Sequence, residues 1–176
     1  MRGLTIASMV AAALLSAGVA SSADQAAPNP LDTIPPKLPF NTPYGAPISL
    51  QRAQALLQAA VEEANRRGWP LNVAVVDSGA NLVAFARMDG AQLASIEISE
   101  HKARAAVKYR RPTRFYEDAV QRQGNNYVFS LDDMITSRGG IPLIENGKII
   151  GAIGCSGGAG SQDEAVCTAA AATINK

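Results

Sequence analysis

Six basic residues lie within thirteen positions near the middle of the chain, and aromatic residues are interleaved with them. Aromatic rings stack on a flat molecule, while ammonium and guanidinium groups pair with its acidic groups. The pattern therefore suits a flat, anionic ligand. It is equally typical of a solvated helix end, where Lys and Arg complement the helix dipole, and the residues alone favour neither interpretation. The basic residues are Lys102, Arg104, Lys108, Arg110, Arg111 and Arg114, and the aromatic residues are Tyr109, Phe115 and Tyr116.

His101 is the only histidine, and it is predicted to be exposed beside Glu97 and Arg104 on a helix. A single surface imidazole is more often solvated than bound to a metal. Cys155 and Cys167 are the only cysteines, so the sequence excludes a zinc finger and a scaffold with several disulfides. The two cysteines either form one disulfide or pack as small buried hydrophobic residues, and an oxidising compartment would favour the disulfide.

The segment 154–158 matches G-x-S-x-G, the motif that places the nucleophile of serine hydrolases between a strand and a helix. In that fold the catalytic histidine follows the serine, whereas His101 precedes Ser156 by 55 residues. We therefore interpret these glycines as permitting a sharp turn before the last helix. No catalytic residue is predicted, and whether the protein is an enzyme stays open.

The 176 residues carry a formal charge of +1, with 47% hydrophobic and 18% charged residues. This composition predicts one domain with a sizeable core, and it argues against a disordered chain. The near-neutral charge also argues against a nucleic-acid partner bound through a broad basic face.

The chain divides into three predicted parts. Residues 1–23 have the basic start, apolar stretch and small residues of a signal peptide, which predicts a periplasmic or secreted protein without a stable membrane anchor. Residues 24–47 contain seven of the ten prolines and predict an extended arm, which lies on the domain surface or on a neighbouring subunit. Residues 48–176 form the folded domain.

Hydrophobic periodicity and turn signals predict helices and two hairpins in this domain. The Asn146-Gly147 pair between two apolar runs is the clearest turn signal. Such an order predicts an α/β (α+β) fold, with a single antiparallel sheet of about five strands flanked by helices. The predicted helices are 49–68, 89–109, a shorter one starting near Thr113, and one that begins with a capping box at 161–164 and ends at Ile174; the predicted strands are 71–76, 81–87, 141–145 and 148–155, with an irregular stretch at 124–138.

A succession of short motifs runs through the folded domain. The motifs are Val73-Ala74-Val75-Val76-Asp77, Gly79, Leu82-Val83-Ala84-Phe85, Arg87-Met88-Asp89-Gly90-Ala91, Ser95-Ile96, Lys102-Ala103, Arg111-Pro112-Thr113, Gly139-Gly140-Ile141-Pro142-Leu143, Gly147, Gly151-Ala152-Ile153-Gly154, Ser156-Gly157 and Gln162-Asp163-Glu164. This succession resembles the GlcG/HbpS family of haem-binding proteins over residues 48–174, and the order of the motifs is more specific than any one of them. Cys155 and Cys167 depart from the family pattern, which usually has aliphatic residues or Ala at these positions.

The resemblance implies a homo-oligomer of α/β domains that binds haem, with sensing, storage or degradation of haem as possible roles. Under this hypothesis Thr113, by its place in the Arg-Pro-Thr motif, or His101, because imidazole is the usual haem ligand, approaches the iron. The expected partners of the propionates are Arg87, Lys102, Arg104 and Arg111, and the expected lining of the ring is Met88, Tyr109 and Phe115.

A second hypothesis is an enzyme or accessory protein that binds a small hydroxy- or oxo-acid at subunit junctions. Its anion pocket would contain Asp77, residues 87–89 and the glycine-rich loop at 154–160.

Overall fold

The computed structural model describes residues 29 and 32–175. The predicted signal peptide lies outside the described residues. A short N-terminal unit ends at Pro36, and its described part contains a turn in which the Asp32 N–H donates to the Asn29 carbonyl. The second unit begins at Lys37 and carries every helix and strand named below. Within the described part of the chain, no helix combines the length and hydropathy needed to cross a membrane.

The domain contains four α-helices and four strands in the predicted order, and one 3₁₀ helix lies in the stretch 124–138 that was predicted to be irregular. The first helix is confirmed together with both of its ends: Ser49 accepts a hydrogen bond from the Arg52 N–H, and Gly68 ends the helix in the left-handed conformation. The elements are α1 (Leu50–Arg67), β1 (Asn72–Asp77), β2 (Leu82–Arg87), α2 (Ser95–Lys108), α3 (Arg114–Gln123), the 3₁₀ helix (Asn126–Ser130), β3 (Gly140–Glu145), β4 (Lys148–Ser156) and α4 (Gly160–Ala171).

Two helix starts differ from the prediction. The second helix begins at Ser95 rather than Asp89, because the residues between them form hydrogen-bonded turns, such as the Ala91 N–H to the Met88 carbonyl. In the last helix, the Gln162 side chain accepts from the Ala159 N–H, so the helix begins before the Ser161 start that was predicted.

The sheet is antiparallel throughout, with the strand order β2-β1-β4-β3, and both predicted hairpins are confirmed. Asn146 and Gly147 both have positive φ values, as the tight turn between β3 and β4 requires. The sheet has four strands rather than about five. The segment that precedes α1 runs beside β4, but it adds only one bridge, between Tyr44 and Ile149. It does not form a fifth strand, because Pro43 and Pro47 lack the N–H that a strand needs.

Helices cover both faces of the sheet. Successive residues of β1 point to opposite faces, so Val73 and Val75 pack against α1 and α4, whereas Ala74 and Val76 pack beneath α2. Paired glycines let α2 approach the sheet closely. A Cβ on Gly154 would lie 2.1 Å from the Ser99 carbonyl oxygen, and a Cβ on Gly140 would lie 2.2 Å from that of Lys102.

Cys155 and Cys167 form a disulfide with their Cα atoms 5.8 Å apart. The disulfide joins β4 to α4, and both cysteines are buried. Of the two alternatives left open by the sequence, the disulfide is confirmed, while burial in the apolar core is also present.

The end of the proline-rich arm lies on its own domain. The Gly45 N–H donates to the Ile149 carbonyl, and the Ile48 N–H donates to the Ile150 carbonyl, both at 2.8 Å. The Tyr44 hydroxyl lies within hydrogen-bond distance of the Val107 and Lys108 carbonyl oxygens. This contact fixes the arm across the C-terminal end of α2.

Candidate functional site

The strongest candidate site surrounds Arg111, between the end of α2 and the start of α3. Its guanidinium carbon lies 4.6 Å from the ring centroid of Phe115 and 5.1 Å from that of Tyr116, and it also lies over the ring of Phe40. The Arg111 Nε donates to the Tyr109 carbonyl. We call the five residues Phe40, Tyr109, Arg111, Phe115 and Tyr116 the Arg111 cage.

Local structure explains why these rings meet. The chain reverses after α2, and Thr113 then anchors the start of α3 to β3: its N–H donates to the Gly140 carbonyl, and its hydroxyl accepts from the Gly140 N–H. The consecutive α3 residues Phe115 and Tyr116 thereby lie beside Arg111, with their own rings in edge contact at 5.4 Å. The arm adds Phe40, whose ring makes an edge contact with the ring of Phe115 at 5.2 Å.

Arg111 has no carboxylate partner among residues 29 and 32–175. Burial lowers its pKa from the ordinary value, since desolvation disfavours the charged form, and Tyr116 and Tyr127 oppose this effect weakly. Guanidinium groups remain protonated at neutral pH even so. The cage thus presents a positive charge, stacked between rings, that is available to an anion.

Tyr116 adds a second polar group to the cage. The residue is only 3% exposed, and its hydroxyl is buried without a hydrogen-bond partner in the described structure. Burial raises the pKa of Tyr116 to about 12, so the hydroxyl keeps its proton and is a potential donor. A carboxylate bound at the Arg111 cage would accept hydrogen bonds from the Arg111 guanidinium and, after a small shift of the Tyr116 side chain, from the Tyr116 hydroxyl.

His101 lies two turns before the cage on α2. It is half-buried rather than exposed, and its Nε2 is buried without a hydrogen-bond partner among the described residues. Asp133 is a shared neighbour, because it interacts with His101 and forms an ion pair with Lys108. Within the described chain no three His, Cys, Asp or Glu residues come together as a metal site. The free imidazole nitrogen nevertheless has the chemistry of a haem ligand.

Two residues predicted at the site make contacts inside the domain. Lys102 is 1% exposed, and its Nζ donates to Asp163 at 2.7 Å and to the Cys155 carbonyl at 3.2 Å. Thr113 is fully buried, with its hydroxyl committed to Gly140. The geometry gives Lys102 and Thr113 structural contacts within the domain, and the propionate and iron contacts expected for them stay predictions.

The remaining predicted residues are spread over the domain. Arg104 pairs with Glu100 on its own helix. Arg87 and Met88 lie at the end of β2, which is one edge of the sheet, whereas Thr113 joins the cage to β3 at the opposite edge. The Met88 sulfur accepts from the Leu71 N–H. The structure brings together Tyr109, Arg111 and Phe115, and it separates Arg87 and Met88 from them.

Sequence reasoning missed Phe40 and Tyr44, the two aromatic residues of the arm that lie against Arg111 and Arg110 respectively. The arm lay outside the recognised motifs, so no local pattern connected its rings with the basic residues. A signal was present, because the arm holds two aromatic residues four positions apart in a proline-rich stretch. Aromatic residues in such a segment indicate that it packs against something.

The protein has an α+β fold, in which helices cover both faces of an antiparallel sheet. The short sequence motifs follow one another along this fold in the order given above. The model of the family described as "Haem degrading protein HbpS-like" matches residues 48–172, and the chain belongs to this HbpS-like family.

Relatives with names or solved structures agree with this assignment. Protein GlcG of Escherichia coli K12 is 41% identical over 110 residues, which is 62% of this chain and 81% of that protein. The crystal structure of HbpS matches with a TM-score of 0.69 and 30% identity, over 75% of this chain and 93% of that one. The crystal structure of a PduOC–haem complex matches with a TM-score of 0.67 and 32% identity, over 74% of this chain and 96% of that one. One of these relatives is thus a protein in complex with haem.

Proposed function

We propose that this protein is an exported, homo-oligomeric haem-binding protein, and that the Arg111 cage receives the acidic edge of the haem. The observation that carries the proposal is a guanidinium stacked among three rings without a carboxylate partner in the described chain. A haem presents a flat ring and two carboxylates, and both of these features find partners in the cage.

The chain's own groups fit haem in distinct ways. Arg111 would pair with a propionate, and Phe115, at 45% exposed, offers a ring face or edge to the porphyrin. The buried Nε2 of His101 would hold the iron once neighbouring side chains shift and uncover it. Bound haem would supply redox and ligand-binding chemistry at its iron. The protein residues position the ring and neutralise its acids.

The surface beside the cage supports a site shared between subunits. An open, largely apolar depression of about 680 Å³ lies between the start of α3 and α4. Arg114 borders it on one side, and Ala165 and Ala169 border it on the other. The exposed rings of Tyr127 and Phe129, on the adjoining 3₁₀ helix, add further apolar surface. A second copy of the chain would cover such surface and deepen the crevice.

Titration of the purified protein with hemin, followed by absorption, tests the proposal. We expect a saturable Soret shift for the unaltered protein and at least tenfold weaker binding for Arg111→Gln. Arg122→Gln is the matched control, since Arg122 is exposed and pairs with Asp118 on its own helix. A titration without saturation would refute haem binding, and equal binding by the two variants would refute this site.

Export is supported by the disulfide, because such bonds persist in oxidising compartments. Cell fractionation and the mass of the N-terminal peptide test it. The proposal predicts a periplasmic or secreted protein that begins near residue 24, and a protein found with an intact N-terminus inside the cytoplasm would contradict it.

A second candidate function is the binding of a small acid. The Arg111 cage supports it because the groups that would bind a propionate would also bind a carboxylate that is not attached to a porphyrin. A small hydroxy- or oxo-acid would use the same Arg111 and Tyr116 pair. Thermal shifts with small carboxylic acids, together with no response to hemin, would favour this alternative.

A further inference from the structure

Arg110 has a backbone conformation that arginine rarely adopts. It follows α2 with a φ of 56°, in the left-handed region. The Arg111 N–H donates to the Ala106 carbonyl and the Arg110 N–H donates to the Val107 carbonyl, which is the Schellman pattern that normally places glycine here. The helices α1 and α3 follow that rule, with Gly68 and Gly124 at φ values of 68°.

The side chain of Arg110 gives a reason to keep arginine at this strained position. Its guanidinium carbon lies 4.7 Å from the ring centroid of Tyr44. Tyr44 is itself fixed by its hydroxyl to the carbonyl oxygens at the end of α2. No acidic group of residues 29 and 32–175 forms an ion pair with Arg110. Strained backbone of this kind concentrates where a side chain serves binding.

Arg110 and Arg111 share one support. The arm residues Tyr44 and Phe40 stack under Arg110 and Arg111 respectively. Since Phe40 and Tyr44 are four residues apart, their Cα atoms are separated by at most about 14 Å. Two guanidinium groups are therefore held along one short segment, and neither has a counter-charge from the described chain. Two like charges held along such a segment are stabilised by an anion with more than one acidic group.

We propose that Arg110 and Arg111 form a two-guanidinium site for a ligand carrying two carboxylates, with the arm segment 40–44 as its aromatic support. This inference rests on the proposed function, and it assigns one acid group of the porphyrin to each arginine. The arm then belongs to the binding site instead of serving only as a tether.

Titrations with protoporphyrin IX and with its dimethyl ester, followed by fluorescence, test the pair directly. The unaltered protein is expected to bind the diacid at least tenfold more tightly than the ester. Arg110→Gln should reduce this preference at least fivefold, while Arg110→Lys keeps the charge and retains more of it. Arg122→Gln should leave the preference unchanged. If Arg110→Gln keeps the full preference for the diacid, the site is refuted.

Arg110→Gly separates binding from folding. Glycine adopts the left-handed conformation without strain, so the melting temperature of the Arg110→Gly variant should equal or exceed that of the unaltered protein. Its preference for the diacid should fall as in Arg110→Gln. A variant that loses stability and keeps the preference would show that Arg110 is structural, which contradicts the inference.

The two proposals fail in different ways. Hemin that binds equally well to Arg110→Gln and to the unaltered protein would overturn the two-guanidinium site and leave haem binding intact. A preference for the diacid porphyrin without any Soret shift for hemin would overturn haem binding and leave the site intact. No binding of either porphyrin would overturn both.

Discussion

Arg111 and Lys102 show how neighbouring basic residues acquire opposite roles. Both belong to the same basic run in the sequence, yet Arg111 lies among rings with no acidic partner from the described residues, whereas Lys102 is buried against Asp163. Burial raises the pKa of Asp163, and Lys102 and the N–H groups of the glycine-rich loop oppose this rise. Lys102 therefore serves the fold, and Arg111 is free to serve a ligand.

Lys102→Met is expected to lower the free energy of unfolding by about 3–5 kcal/mol, because it leaves the Asp163 carboxylate buried and unpaired. Urea unfolding at neutral pH measures the loss. Lys102→Met combined with Asp163→Asn should recover part of it, since the unpaired charge is then gone. A loss below about 1 kcal/mol for the single variant would contradict this assignment.

Glu117 predicts a pH dependence of stability. Burial alone would raise the pKa of Glu117, but hydrogen bonds from the side chain and the N–H of Arg138 outweigh it and lower the pKa. The folded-state pKa thus lies below the unfolded value, so the stabilisation is present above the unfolded pKa and is lost as the pH falls through the folded pKa.

Urea midpoints measured between pH 7 and pH 3 test this dependence. Glu117→Gln should reduce stability at neutral pH and flatten the fall toward acid. Glu62→Gln is the control, because the Glu62 carboxylate is exposed and only accepts from Gln58 on its own helix. Parallel curves for Glu117→Gln and the unaltered protein would contradict the prediction.

The elements of the fold were largely predictable from local patterns. Apolar periodicity and caps predicted α1, and the Asn146-Gly147 turn predicted the β3–β4 hairpin. The burial of Lys102 was not predictable in this way. Lysine is almost never fully buried unless it is paired, and the partner of Lys102 is Asp163, which lies far away in the sequence. The cage was half predictable: Tyr109, Arg111 and Phe115 are close in sequence, whereas Phe40 reaches them only through the folded arm.

The disulfide joins the two elements that flank the glycine-rich loop, β4 and α4. Its loop is short, with a sequence separation of 12, and closing a loop of about this length stabilises a fold by about 3 kcal/mol in the chain-entropy model. Cys155→Ala with Cys167→Ala should lower the free energy of unfolding by about this amount. Thermal and urea unfolding with and without reductant measure it, and equal stability would contradict a structural role.

At the scale of the whole molecule, the domain provides a rigid frame for one surface. The sheet holds α2 in place, and β3 fixes the start of α3 through Thr113. The arm contacts the end of α2 through Tyr44 and the start of α3 through Phe40. The proposed ligand site is therefore assembled from three parts of the chain, and the exposed apolar surface beside it is where we propose that a further subunit packs. Such an arrangement explains why motifs of the folded domain alone identified the family but not the site.

The most direct measurement is a crystal structure of the protein grown with hemin. The account predicts a porphyrin against Phe115, with a propionate oxygen within hydrogen-bond distance of the Arg111 guanidinium. A well-defined haem bound elsewhere, with the Arg111 cage unchanged and no acid group at its guanidinium, would contradict it.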